Sequence, residues 1–237
     1  MSPKLKRGLN ISLTVVFIAA LVIFMITFSI GIPIYCRFLY YIQINTLNMP
    51  QRTGWSYEVI KEAYDDILNF CTLPGYPCQT GQLKLSAEGA AHFADCKGLF
   101  SLNFWGLLVS GIISLTLILL NRFKVISLAR PFGHGAQLLA AVIAVALPVI
   151  IIALVLIVGF DVAFEAFHAI FFPGKTNWLF DWYEDEIIRV MPQEFFLNCA
   201  IIVAVALITF SATLIITEII INKRHKKSVN NGIDPVV

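Results

Sequence analysis

Residues 137–160 read QLLAAVIAVALPVIIIALVLIVGF, a run without one charged side chain. A helix needs about 20 apolar residues to cross the hydrocarbon core of a bilayer, so this run is long enough to span one. Three further windows lack Asp, Glu, Lys and Arg: residues 8–36, 98–121 and 195–217. The chain is 58% hydrophobic and 14% charged, with a mean hydropathy of +0.81, a profile foreign to a soluble domain of this length. These features predict an all-α membrane protein with four transmembrane helices.

The charges divide once four spans are drawn. Lys4, Lys6, Arg7, Arg122, Lys124, Arg130, Lys223, Arg224, Lys226 and Lys227 fall on one side, opposed there only by Glu218 and Asp234, a balance of +8. The other side carries Arg37, Arg52, Lys61, Lys84, Lys97, Lys175 and Arg189 against the remaining thirteen acids, a balance of −6. Lys and Arg mark the cytoplasmic side. The expected order is therefore a cytoplasmic N-terminus (1–8), a first span (9–36), an extracytoplasmic segment (37–98), a second span (99–120) and a cytoplasmic loop (121–136). A third span (137–160), a second extracytoplasmic segment (161–194), a fourth span (195–221) and a cytoplasmic basic tail (222–237) complete it. The first apolar run is too long for a secretory leader, and no small-x-small site follows it, so it reads as an anchor. The basic tail reads as a topology determinant in contact with lipid headgroups, with no nucleic-acid partner.

The first outer segment, about 60 residues long, is marginal as an independent core, so the two outer segments are expected to form a small cap together. Ser56 is a candidate N-cap, and Val59, Ile60, Ala63, Ile67 and Phe70 recur at helical spacing through Cys71. Pro74, Gly75 and Pro77 break the chain, and from Ser86 a helix is expected to run into the second span. On that helix His92, Asp95 and Cys96 share one face. In the second segment Asp161, Glu165, His168 and Phe172 form one helical stripe, with Phe160, Phe164, Phe167 and Phe171 beside it, so the third span is expected to continue as an amphipathic helix as far as Pro173 and Gly174. The aromatic and acidic group that follows, Trp178 to Glu186, reads either as an interfacial belt or as a substrate-facing groove. Cys71 and Cys78, with six residues between them, could be bridged or free; the five cysteines show no metal-binding spacing.

Two histidines on outer helices, each with a carboxylate one turn away, could supply a general base and a proton donor near neutral pH. The chain has no metalloprotease helix, no Gly-x-Ser-x-Gly elbow and no phosphate-binding glycine loop. The four charge-free windows offer no charged residue to serve an ion pathway.

Two stretches carry a resemblance. LSAEGAAHFADCK at 85–97 and FHAIFF at 167–172, followed by Trp178, Asp181, Pro192, Phe195 and Phe196, resemble the signature stretches of the lipoprotein intramolecular transacylase family. Cys96 departs from the pattern, where a small aliphatic residue such as Val is expected. The resemblance implies an acyltransferase in the plasma membrane of a Gram-positive bacterium. Such an enzyme moves the sn-2 acyl chain of a diacylglyceryl lipoprotein to the α-amino group of its own N-terminal cysteine, giving the lyso form. It implies His92 and His168 as the catalytic pair, to which the residue pattern adds Asp95 and Glu165 as orienting carboxylates and Trp178, Asp181, Phe171 and Phe172 as groove candidates. The substrate carries its own ester, so neither a metal, a cofactor nor an acyl carrier is expected; the partners would be the lipoprotein and membrane phospholipids. The competing reading is a non-enzymatic four-span adhesion or scaffold protein.

Overall fold

The structure, a computed structural model, describes the backbone of residues 2–230 and the side chains of residues 2–223; Arg224, His225, Lys226, Lys227 and Asp234 of the basic tail lie outside the described side chains. Nine α-helices occur among the described residues. They are α1 (Pro3–Tyr35), α2 (Phe38–Thr46), α3 (Met49–Thr53), α4 (Tyr57–Thr72), α5 (Ala87–Arg122), α6 (Ala136–Val158), α7 (Phe160–Phe171), α8 (Ile187–Val190) and α9 (Gln193–Asn230). Four of them, α1, α5, α6 and α9, are long and apolar enough to cross a membrane. As little as 11% of the most apolar window of α9 is buried within the protein, and 17% of that of α6. Their remaining apolar surface therefore needs a non-aqueous neighbour, which lipid provides.

The packing falls into two units. Of the described residues, one contains 2–28, 106–150 and 205–230. Its core joins Phe17, Leu21 and Met25 of α1 to Leu117 of α5, Ala136, Ala140 and Ala144 of α6, and Leu207 of α9. The small alanines let helix backbones approach closely where lipid supplies no hydrophobic drive. Glu218 of α9, 2% exposed, accepts hydrogen bonds from the Gly135 N–H at 2.8 Å and the Gln137 Nε2 at 2.7 Å, which fastens the 121–135 connection to α9.

The other unit contains residues 29–105 and 151–204. Its core gathers Tyr40, Ile44, Met49, Ile60, Ile67, Leu83, Phe93, Ile187, Val190 and Phe195, so both long connections contribute to one hydrophobic cluster. Tyr40 stacks on Tyr64 at 3.6 Å, and its hydroxyl donates to the Val190 carbonyl at 2.6 Å. Arg37 and Lys61 both pair with Asp65, at 3.0 and 2.8 Å.

Local signals explain most of these elements. Ser56 caps α4 as expected, its Oγ accepting from the Val59 N–H at 3.4 Å. The short helices α2 and α3 were not foreseen from the sequence; α3 is closed by Gly54 in a left-handed conformation (φ 81°). The third apolar helix does not run on unbroken into the His168 segment. It ends at Val158, and Gly159, at φ 85°, separates it from α7, a break open to glycine because a side chain would be strained there. The five cysteines, Cys71 and Cys78 included, are free thiols, and Cys71 lies within the hydrophobic cluster.

Candidate active site

The long reach of α5 places the first histidine. At 1.5 Å per residue a 36-residue helix is about 54 Å long, well beyond the roughly 30 Å of a hydrocarbon core. Its charged head, residues 87–97, carries His92 and precedes the charge-free stretch that starts at Gly98. The head is pinned by the opposite connection. Asp185, 3% exposed, accepts from the Ser86 N–H at 2.8 Å through Oδ1 and from the Asp181 N–H at 3.2 Å through Oδ2. Lys84 and Glu186 exchange two further hydrogen bonds, the Lys84 N–H to Glu186 Oε2 at 2.9 Å and the Glu186 N–H to the Lys84 carbonyl at 3.0 Å. A buried carboxylate is tolerable only when its oxygens are satisfied, and here the satisfied group doubles as the cap of the His92 helix.

Gly89 makes this clasp possible. A Cβ at position 89 would collide with the Asp185 carboxylate and meet Leu85 Cδ1 at 2.8 Å and the Phe180 ring at 3.0 Å. Phe180 in turn stands edge-on to His92, with ring centroids 5.4 Å apart, and against Phe93 at 5.6 Å.

The second histidine comes from α7. His168 stacks on Trp178 at 4.4 Å with an interplanar angle of 24°, and touches Phe164 at 4.4 Å and the edge of Phe167 at 5.4 Å. Phe172 links the two sites, 4.9 Å from His92 and 5.7 Å from His168. The imidazoles themselves lie 5.8 Å apart, centroid to centroid, and are 5% and 6% exposed. Two residues separated by 76 positions in sequence thus share one aromatic chamber.

Hydrogen bonds define the histidines' protonation states. His168 Nδ1 is 2.7 Å from the Phe164 carbonyl. A carbonyl only accepts, so Nδ1 carries the proton and Nε2 keeps its lone pair. His92 Nε2 is 3.4 Å from Cys96 Sγ. Imidazole nitrogen is a far better acceptor than sulfur, and burial pushes the Cys96 thiol up to about 12, so the thiol donates and Nδ1 of His92 carries the ring proton. That Nδ1 is buried, and the Asn177 side chain hydrogen-bonds the ring. Burial pushes His92 down to about 4; nearby His168 and Lys175 act in the same direction, against the opposing pull of Asp95 and Asn177. Burial also lowers His168, partly offset by its hydrogen bond to Phe164. Both rings are accordingly neutral near pH 7.

The sequence-predicted carboxylates take other partners. Asp95 does not hold His92: its oxygens accept from Lys175 Nζ and from Asn177 Nδ2, the latter at 3.0 Å. Glu165 is exposed, and the backbone carbonyl of Phe164 orients His168 instead. Of the groove candidates, Trp178 and Phe172 line the chamber, whereas Phe171 packs on Phe167 at 4.6 Å and is half exposed. Asp181 caps a tight turn, its Oδ1 accepting from the N–H groups of Tyr183 at 2.8 Å and Glu184 at 3.0 Å. Lys175 and Asn177 were not singled out as site residues in the sequence, while Phe164 and Phe180 stood out there only as members of the aromatic stripe and of the aromatic and acidic group. A visible cue was the polar Lys-Thr-Asn insert between the Pro173-Gly174 stop and Trp178, since polar loop residues beside an aromatic cluster are placed to face a site.

The chamber as a whole offers one unprotonated nitrogen, one protonated nitrogen and aromatic walls. That combination suits transfer of a group between a nucleophile that must lose a proton and an acceptor that develops negative charge.

Comparison with known proteins agrees in family and in fold. The family described as lipoprotein intramolecular transacylase Lit matches residues 15–196. Among solved structures, the in meso structure of the membrane integral lipoprotein intramolecular transacylase Lit from Bacillus cereus matches with a TM-score of 0.82 at 22% identity, covering 93% of this chain and 99% of that one. Two variants of the same Bacillus cereus protein, in which one histidine is replaced by arginine or by alanine, match with a TM-score of 0.76 at 21% identity over 95% of this chain. No curated protein matches the chain.

Proposed function

Because the chain belongs to the lipoprotein intramolecular transacylase family, we propose that it moves the sn-2 acyl chain of a diacylglyceryl lipoprotein to the α-amino group of that lipoprotein's own N-terminal cysteine. The site works at the outer leaflet of a bacterial plasma membrane, with both chain termini cytoplasmic, an orientation supported by the +8 against −6 division of charge. The observation that carries the reading is the pair of buried, neutral imidazoles 5.8 Å apart, one presenting a lone pair and the other an N–H.

The chemistry follows from those two atoms. The free amine attacks the sn-2 ester carbonyl, and His168 Nε2 takes one of its protons as the C–N bond forms. Negative charge develops on the carbonyl oxygen, which accepts a hydrogen bond from His92 Nδ1. Collapse breaks the bond to the sn-2 oxygen, and the proton held by His168 returns to that oxygen. The products are an amide and a glyceryl hydroxyl, and the enzyme ends as it began. An α-amino group has a pKa of about 8, so a fraction of it is free amine near neutral pH. Both reacting groups belong to one molecule, and well-oriented intramolecular reactions have very large effective molarities. Positioning supplies much of the rate, and no acyl carrier or metal is required.

The test is mass spectrometry of the N-terminal peptide of a lipoprotein made in cells with and without this protein. The expected result is an N-acyl, monoacylglyceryl peptide only where the protein is present. Unchanged diacylglyceryl peptide in both would refute the proposal.

A further inference from the structure

Arg189 of α8 is a cation without an acid. On the two long connections Arg37 and Lys61 pair with Asp65, Arg52 with Glu194 and Lys175 with Asp95, whereas Arg189 meets no carboxylate among the described residues. The acid nearest to it in sequence, Glu186, has Oε2 engaged by the Lys84 N–H at 2.9 Å. A guanidinium has five N–H donors. Here Nη2 donates to the Thr53 carbonyl at 3.3 Å, and Nε is buried with no hydrogen-bond partner. Aromatic rings hold the group instead: its central carbon lies 4.4 Å from the centroid of the Trp55 ring and 5.7 Å from that of Trp182. An arginine clamped in this way keeps its charge, is oriented before a ligand arrives and offers its remaining donors as a planar fork.

We propose that Arg189, between Trp55 and Trp182, binds the phosphodiester of an anionic membrane phospholipid. Two oxygens of a phosphodiester match the guanidinium fork in plane, with two parallel charge-assisted hydrogen bonds. The level in the membrane follows from a neighbouring ion pair. Glu194 is the last charged residue before the charge-free window 195–217, and Arg52, adjacent to Thr53, pairs with it at 3.1 Å. A charge-free helical window is what the hydrocarbon core accepts, so the turn from Thr53 to Trp55 and the Arg189 head that it holds belong to the headgroup layer. Trp182, 56% exposed, and Tyr183, 81% exposed, are of the residue types that settle there. Lipid phosphates occupy that layer permanently and densely, whereas a peptide carboxylate would have to be brought from water. A zwitterionic headgroup would also need an anion for its amine, and the nearby acids Asp185, Glu186 and Glu194 are already engaged. The contacts of Arg189 involve neither His92 nor His168, so the site stands apart from acyl transfer.

The test places the full-length protein in nanodiscs of equal parts phosphatidylglycerol and phosphatidylcholine, releases it in a native mass spectrometer and counts the lipids that stay bound. The unaltered protein should retain phosphatidylglycerol over phosphatidylcholine by about fivefold or more, as a charge-assisted bidentate contact allows. Arg189→Gln, which removes the charge, should bring the two lipids to within about twofold of each other, and Arg189→Lys, which keeps the charge but loses the planar fork, should fall between. Arg52→Gln, a neighbouring cation already paired with Glu194, should leave the preference intact. Neither inorganic phosphate nor a hexaglutamate peptide, added at millimolar concentration, should strip the bound phosphatidylglycerol. An unchanged preference in either Arg189 variant overturns the site, so the conservative lysine variant decides the matter even if the glutamine variant does not fold. Equal loss in Arg52→Gln also overturns it, since the lipid would then be answering to diffuse charge. Displacement by inorganic phosphate would reveal a site for a free anion, and displacement by the peptide a site for an acidic chain; either result overturns the lipid assignment.

Discussion

At the level of single residues, the two histidines differ in what holds them, and this predicts how each should fail. His168→Ala removes the lone pair proposed as base, and His92→Ala removes the proposed oxyanion donor. Each should cost transfer a factor of about 100 or more, and the double variant should be little worse than either single one, because groups acting as a unit are non-additive. His92→Gln and His168→Gln, closer in size, should fail as badly while keeping the thermal midpoint nearer that of the unaltered protein. His134→Ala and His225→Ala are the controls and should retain near-normal transfer. If either chamber variant keeps more than about a third of the rate, the pair is wrongly assigned. Both chamber histidines have pKa values lowered by burial. The neutral form is therefore the folded reference state, for His92 down to about 4, and acid weakens the fold as pH drops through 6.5, because the unfolded chain then binds more protons. In an imidazole NMR titration His92 should remain neutral at pH 5.5, and the acid limb of the rate should track the substrate amine near pH 8. A His92 midpoint at or above 6.5 would contradict the buried-chamber geometry. The histidines were legible in the sequence because each sat on a helical stripe beside a carboxylate. Their true hydrogen-bond partners were not, because a backbone carbonyl leaves no mark in a side-chain pattern and Asn177 reaches Asp95 from 82 positions away.

At the level of elements, the head of α5 depends on a glycine. Gly89→Ala would drive a methyl group into the Asp185 carboxylate and the Phe180 ring, an overpacking that typically costs about 1–3 kcal/mol. Thermal unfolding should show a lower midpoint, and the surviving folded protein should transfer more slowly, because Phe180 also walls His92. Asp185→Ala relieves the collision, so the double variant Gly89→Ala with Asp185→Ala should be less damaged than the sum of the two singles. Strict additivity would mean that the two positions do not meet. Helices with apolar periodicity or a strong cap, such as α4 behind Ser56, could be read from the sequence in advance. The short α2 and α3 could not, since each is too brief for a periodic pattern to rise above the surrounding apolar residues. The break between α6 and α7 was hidden for a related reason. An apolar run with a single glycine looks continuous, and only the positive φ at Gly159 reveals the break.

On the scale of the whole molecule, the four-helix membrane architecture was the most legible feature, because charge-free windows of spanning length have few other uses. The proposed orientation rests on charge asymmetry. A single cysteine replacing Lys61 or Lys175, in a background without native cysteines, should react with a membrane-impermeant thiol reagent in intact cells, and one replacing Lys226 should not; the reverse pattern would invert the topology. Both connections belong to one core, with Tyr40 reaching Val190 and Arg52 reaching Glu194, so the histidine chamber is an assembly of two distant segments that neither could form alone. The claim that joins fold to function is that the donor ester and the acceptor amine react within one bound lipopeptide. It is tested most directly by incubating the purified protein with a mixture of two lipopeptides of different peptide sequence, one carrying an isotope-labelled sn-2 chain, and fragmenting the products by mass spectrometry. The account predicts labelled amide only on the peptide that brought the label. Label on the other peptide, or released as free fatty acid, would contradict it.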